Sequence, residues 1–379
     1  MRWASHGKRA SNTVLSPLLA ILVAGVAAAV GVGSATAGPT GNPECAPGVD
    51  FLGFSDALDK QTFEGTNVGG ISGLAYARRD IYHGLVDNEG ETPARFYTLD
   101  APLDGSGLGE PEVRDVAFLR DASGEPFTGA DLDGEGISRA RDGSLLVSSE
   151  TEPSVRRFSE SGELLGELPV PEKFLVAPEG GGRPNQTFES LSLSPNGRSL
   201  FTANEEFLTP DGETADGGDR IRILRYGDRG PGGFEPAEEF YYPAEPGQGV
   251  VEMLAVSESE LLVLERGFVS GEGNTARIFR VPLSGAEDVS DETSLAAPGP
   301  EPVQKELVVD LAGCPSSGAR SPGTQENPLL DNYEAMSFGP RLPGGGRSLL
   351  LVSDDNFNDA QVTRAVALGV QGSGDRQAR

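Results

Sequence analysis

Acidic side chains recur at two places in a spacing that repeats along the chain. Glu135, Glu189, Glu252 and Glu334 each open a short apolar segment, and Asp87, Glu150, Glu205, Glu265, Asp354 and Asp355 each follow a later one. Carboxylates brought close together repel, so they must protonate, separate or bind a cation. Oxygen donors without His or Cys select hard ions, and flexible sites with six to eight oxygens suit Ca²⁺. The sequence therefore predicts a Ca²⁺ site with Asp87, Glu150, Glu205, Glu252, Glu265, Asp354 and Asp355 as candidate ligands. Glu135, Glu189 and Glu334 are the candidates for catalysis. Arg266 joins them, because guanidinium can clamp phosphate or carboxylate oxygens. Arg95, Arg139 and Asn356 are the candidates for substrate contact. The bland alternative gives each repeated Glu a purely geometric job, bonded to the backbone of its neighbour. It also makes each arginine a plain salt-bridge partner.

Histidine use narrows the chemistry. His6 falls in the N-terminal signal, so His83 is the one His of the mature chain. A His-based zinc site is excluded. So is a phosphatase that needs an active-site His beside Arg. A Ser-His-acid esterase would need His83 as base, and no convincing Gly-x-Ser-x-Gly elbow is present.

The elements that must position these groups are read from the repeat. Gly70-Ile71-Ser72-Gly73, Glu135-Gly136-Ile137-Ser138, Glu189-Ser190-Leu191-Ser192, Glu252-Met253-Leu254-Ala255 and Glu334-Ala335-Met336-Ser337 align as first strands. Second strands follow at Ile81 to Val86, Leu145 to Ser149, Leu200 to Asn204, Leu261 to Leu264 and Leu349 to Ser353. Asp142-Gly143 and Pro195-Asn196-Gly197 supply hairpin turns. Third strands are read at Arg95, Val155, Ile221, Ala276 and Val362, and fourth strands at Val113, Leu164, Glu239 and Val303. The fifth unit lacks a fourth strand, and Val49 to Phe54 is spare. The expectation is an all-β, single β-propeller of five four-stranded blades over residues 49–370, closed by the N-terminal strand. Extra strands around Thr62-Phe63-Glu64 or within Pro298 to Leu330 would make six. Antiparallel pairing puts the start of each first strand beside the end of each second strand. All the acids above then share one mouth of the channel.

The ordered set of motifs also resembles a family. It comprises Pro93-Ala94-Arg95-Phe96-Tyr97-Thr98-Leu99, Phe188-Glu189-Ser190-Leu191-Ser192, Leu262-Val263-Leu264-Glu265-Arg266-Gly267, Asp331-Asn332-Tyr333-Glu334 and Leu351-Val352-Ser353-Asp354-Asp355-Asn356-Phe357. Over roughly residues 50 to 370 this is similar to the phytase-like domain family, also described by an esterase-like activity of phytase. The resemblance implies a secreted propeller hydrolase and leaves the substrate open. One departure stands out: the first unit has Gly70-Ile71 where the other four carry Glu.

Charge and targeting set the outer bounds. Arg2, Lys8 and Arg9, an apolar run from Val14 to about Val32, and Ala35-Thr36-Ala37 read as a signal peptide over 1–37, cut after Ala37. Residues 38–48 and 371–379 are read as tails. The chain has 30 Lys+Arg and 58 Asp+Glu, a net −28, and removing the three basic residues of the signal gives 27 − 58 = −31. Such a surface disfavours nucleic acid and anionic membranes. The expected partner is a small-molecule ester or phosphate, with the mature chain secreted, monomeric and not inserted in a membrane. The competing expectation is a non-catalytic propeller that binds a ligand or a cell-surface partner. Cys45 and Cys314, an even pair in an oxidising compartment, are expected to form one disulfide that pins the closing strand.

Overall fold

The computed structural model describes residues 42–371, apart from 88–89, 231–232 and 344. The expected signal peptide, its cleavage after Ala37 and the tail 372–379 lie outside the described residues. Among the described residues, no helix is long and apolar enough to cross a membrane.

Among the described residues five large sheets are present, which makes five blades rather than six. Blade one is Ile71–Arg78, Ile81–Val86, Arg95–Asp100 and Glu112–Phe118; blade two is Gly134–Arg139, Leu145–Ser149, Ser154–Phe158 and Leu164–Leu168. Blade three is Phe188–Leu193, Ser199–Asn204, Arg220–Asp228 and Phe234–Pro243; blade four is Gly249–Ser257, Glu260–Val269, Gly273–Pro282 and Glu306–Asp310. Blade five is Tyr333–Arg341, Arg347–Ser353, Ala365–Val370 and then the N-terminal strand Val49–Ser55. The Thr62 segment forms only a two-residue hairpin with Thr66–Asn67, and the stretch 298–330 adds only Glu306–Asp310 and a short turn of 3₁₀ helix.

Ring closure is by strand pairing: Val49 lies opposite Val370 and Phe51 opposite Leu368. The segment expected as a tail contributes more than that. Glu44–Ala46 pairs with Val49–Ser55 as a fifth, outermost strand, and Cys45 is bonded to Cys314 across a sequence separation of 269. Cys314 follows the last strand of blade four, so the bond ties blade four to the closing strand.

Five apolar layers hold the ring together, one at each junction of neighbouring blades. Phe96 and Leu85 meet Ile137 and Phe158; Leu146 and Val155 meet Leu200 and Tyr226; Phe201 and Ile223 meet Met253 and Leu261. Leu262 and Ile278 then meet Met336 and Val366, and Leu350 and Val352 meet Ile71 and Tyr82. Burial of these faces is the main term that keeps the blades together. It also explains why the apolar residues alternate so little: both faces of each blade are inside.

The first strands crowd around the axis. A Cβ on Gly73 would lie 2.4 Å from the carbonyl of Glu135, and one on Gly136 would lie 2.5 Å from the amide of Leu191. That crowding is why small residues follow the repeated acids.

Candidate functional site

One register irregularity recurs in every blade and aims the acids. In each first strand a single extra residue bulges opposite the second strand: Ser72, one of Glu135-Gly136, Glu189, Val251 and Glu334. A bulge re-aims a side chain relative to the regular pleat. Here it coincides with Glu in blades two, three and five. Just past the matching second-strand residue come Asp87, Glu150, Glu205, Arg266 and Asp354, one from each blade.

These residues enclose a cavity of about 130 Å³ at one mouth of the channel. Its lining holds Asp87, Asp133, Glu135, Glu150, Glu189, Glu205, Glu334 and Asp354, against the single cation Arg266, with Asn185 and Asn356 beside them. Ligand oxygens of Asp133, Glu135 and Glu150 lie within 4.8 Å of one another, and so do those of Glu150, Glu189 and Glu205. Glu150 is shared by both groups. The donor set is oxygen only, which fits a hard divalent ion such as Ca²⁺ and does not fit zinc.

The charges strain against each other as that fit requires. Burial, then Asp87, Glu150, Asp133 and Glu334, hold the Glu135 carboxyl well above its usual range. Burial, then Glu135 and Glu205, do the same for Glu189. Glu150 is pushed up to about 8 by burial, Glu205 and Asp133. Asp354 is raised by burial and by Glu334 and Asp87. Burial opposes the charge on Arg266, but Glu334, Glu205 and Glu189 outweigh it and raise its pKa. Arg266 is hydrogen-bonded to Glu334 and lies 3.5 Å from Glu205. Asn332 Nδ2 donates to the same Glu334 oxygen, Oε1, at 3.0 Å.

Not every residue expected at this mouth is there. Glu252 is one residue out of step, because Val251 takes the bulge in blade four. Glu252 faces the neighbouring first strands deeper in the channel, where its carboxylate accepts from the backbone amides of Met253, at 2.9 Å, and of Leu191 and Met336. It has the purely geometric job. Glu265 is likewise one residue short, since Arg266 holds the ring position. Its carboxylate accepts from Tyr242 Oη at 2.5 Å and Lys305 Nζ at 2.7 Å, inside the blade.

Asp355 turns away to bond Lys60 Nζ at 2.5 Å and the Gly70 amide at 3.1 Å. In blade one the bulge position belongs to Ser72, so Gly70 stands two residues ahead of the place the repeated Glu takes in blades two, three and five. A Cβ on Gly70 would lie 2.7 Å from the Phe357 ring, so the loop after Asp354 packs closely on this segment. Arg95 donates to Tyr97 Oη and the Asn67 carbonyl, both at 3.2 Å, and stays beside the cavity rather than in it. Arg139 lies at the far end of its strand, 3.4 Å from Glu160 at the opposite mouth. His83 is buried against Phe96, with neither ring nitrogen hydrogen-bonded among the described residues, and its Nε2 lies 3.9 Å from Glu160.

Asp133 and Asn185 line the cavity without having been expected. Asp133 comes one residue before the strand and Asn185 from a loop, both outside the repeat. Asn185 has φ 58° and Asn356 φ 46°, left-handed conformations that Asn tolerates better than most residues. Both cavity asparagines are thus held by special turns.

Among solved structures, the chain is similar to the PQQ-bound aldose sugar dehydrogenase of Streptomyces coelicolor (16% identity, 80% of each chain, TM-score 0.35). It is also similar to the periplasmic gluconolactonase of Pseudomonas aeruginosa (17% identity, 82% of this chain and 88% of that one, TM-score 0.34). An uncharacterized secreted protein of Arthroderma benhamiae is 28% identical over 144 residues, which is 30% of this chain and 28% of that protein. The chain thus spans under a third of that curated relative. The model of the phytase-like family, described by an esterase-like activity of phytase, matches residues 66–357, and the chain belongs to that family.

Proposed function

We propose that this chain is a secreted hydrolase of phosphate or other esters that works with Ca²⁺ at the acidic mouth of the propeller. The observation that carries the reading is the pair of carboxylate triads joined through Glu150, with Arg266 in the same cavity. Asp133, Glu135 and Glu150 would hold one ion, and Glu150, Glu189 and Glu205 a second. Bound there, Ca²⁺ would offset the clustered charge and polarise a phosphoryl or acyl oxygen. Arg266 would hold the negative charge that develops on that oxygen, as donors placed in advance do. Glu334, fixed between Arg266 and Asn332, would keep the guanidinium oriented. Asp87 and Asp354 have no place in either triad and would serve as proton acceptors or as ligands that complete the oxygen shell. Asn356 and Asn185 would hydrogen-bond the substrate at the rim.

The cavity is ion-sized, so a substrate would present one ester group to it and keep its bulk outside. Secretion is proposed from the disulfide and from the relative's printed description as a secreted protein. Turnover of a panel of phosphate and carboxylate monoesters tests the reading. Activity should vanish in EDTA and return with Ca²⁺. Activity that persists in EDTA would remove the metal from the proposal. No turnover on any ester would leave a binding propeller.

A further inference from the structure

The opposite mouth of the channel has the reverse electrostatics. The far ends of all five first strands meet there around a pocket of about 370 Å³. Its floor is apolar, with Leu74, Ile137, Leu191 and Leu254. Among the described residues, its charged groups are Arg139, Arg141 and Arg347, and no carboxylate lines it. In a chain with 58 acidic and 30 basic residues, three arginines against one exposed acid, Glu160 at the edge, are a sharp local reversal.

These guanidinium groups are not consumed by the fold. Arg139 reaches only Glu160, at 3.4 Å, and its Nε is enclosed without a partner. Arg347 is stacked on Phe338, 3.8 Å from the ring centroid, and its Nε is also enclosed and unpartnered. Arg141 donates to the Pro195 carbonyl at 3.1 Å. Burial, and then the neighbouring Arg341, pull the Arg347 pKa down, the direction an uncompensated cation takes. Enclosed donors without acceptors are costly unless something binds them.

We propose that this mouth is a binding site for an organic anion, with a phosphate or carboxylate head held by Arg139, Arg141 and Arg347 and an apolar body on the strand ends. Guanidinium suits both heads because its planar donors match their oxygens. The site is independent of the acidic cavity. Glu252, bonded to the Leu191 backbone, stands between the two mouths.

The test is calorimetric titration of the full-length protein with phenyl phosphate and with benzoate, in EDTA and at low ionic strength. The two probes distinguish a phosphate from a carboxylate head, and inorganic phosphate alone reports the head without the body. At least one organic anion should bind, and high salt should weaken it. R139Q/R141Q should weaken it at least about tenfold, the loss of one charge-assisted hydrogen bond or more. Glu160→Gln, at an exposed position, should tighten it by releasing Arg139. E150Q should leave it unchanged. Absence of binding by both organic anions, or binding that the arginine pair does not affect, would overturn the proposal. Binding lost in E150Q instead would assign the anion to the acidic mouth.

Discussion

Arg266 and Glu205 hold the same register position in neighbouring blades, and their charged ends lie 3.5 Å apart. Four blades place an acid at that position and blade four alone places a cation. The acidic cavity is therefore a ring with one deliberate break, and that break balances Glu205 and Glu334.

Replacing Arg266 by Gln should leave the cavity with no cation. Removing one partner of a largely buried ion pair leaves the other charge uncompensated, and with Arg266 20% exposed the cost should fall below the ~3–5 kcal/mol of a fully buried pair. The loss in urea unfolding should be largest in EDTA and smaller in Ca²⁺, which would supply positive charge in its place. Ester turnover should fall by about 10²–10³, the usual cost of one preorganised donor.

Ca²⁺ should raise the melting temperature measured by scanning calorimetry. Binding only to the folded state gives about 2.7 kcal/mol at a hundredfold excess over Kd. Glu150→Gln should abolish most of the gain, since Glu150 belongs to both triads. Glu252→Gln should keep it, since Glu252 is spent on backbone amides. An equal loss in both variants would sink the two-triad assignment.

In EDTA the acidic mouth should make the protein less stable as pH rises. Glu150 titrates near 8 when folded and near 4.5 as a free side chain, so between those values the folded state binds more protons. Stability is then present below about 4.5 and lost as pH climbs through about 8. Glu135 and Glu189 are shifted the same way and add to the slope. Saturating Ca²⁺ should flatten it. Urea midpoints at pH 5 and pH 8, with and without Ca²⁺, measure this directly.

His83 should give a slope of opposite sign. Burial lowers its pKa to about 4, so between about 4 and 6.5 the unfolded state binds more protons and stability rises with pH. The full contribution is on the order of 3 kcal/mol. It should be complete above about 6.5 and lost toward pH 4. His83→Leu should remove the slope in that window and leave ester turnover intact.

Cys45→Ser should destabilise the protein by about 3–5 kcal/mol, as loss of a bond closing so long a loop implies. Peptide mapping of non-reduced protein should recover Cys45 and Cys314 together. Two free thiols in the folded protein would contradict the pairing.

Most of the fold was legible because the propeller repeats its own sequence. The second strand of blade one runs from Ile81 to Val86 and that of blade two from Leu145 to Ser149, as read from the turns and apolar runs. The spare strand at Val49 fixed the closure. The site was less legible for a specific reason. A bulge inserts one residue without changing composition, so the Glu252 motif matches the Glu189 motif while the backbone places Val251 in its stead. Glu265 was expected at the ring beside Arg266, and the same offset leaves Arg266 alone there. Arg139, a candidate for substrate contact, stands at the other mouth because it ends its strand, whereas the acids begin theirs. Asp133 and Asn185 carried no repeat signal, although an acid one residue ahead of a bulged Glu is a pattern worth seeking.

The closing strand imposes an order on synthesis. Val49–Ser55 pairs with Ala365–Val370, so Ser55 and its partner Ala365 are 365 − 55 = 310 positions apart. At roughly 5–20 residues per second, the first strand waits about 15–60 s for its partner. Blades one to four can each finish as they emerge, but the last blade cannot. Tyr333–Arg341 and Arg347–Ser353 form its inner half; the first carries the cavity residue Glu334, and Asp354 directly follows the second. The acidic cavity is therefore completed last, and the unpaired N-terminal strand is the part of the nascent chain most in need of shielding from wrong partners.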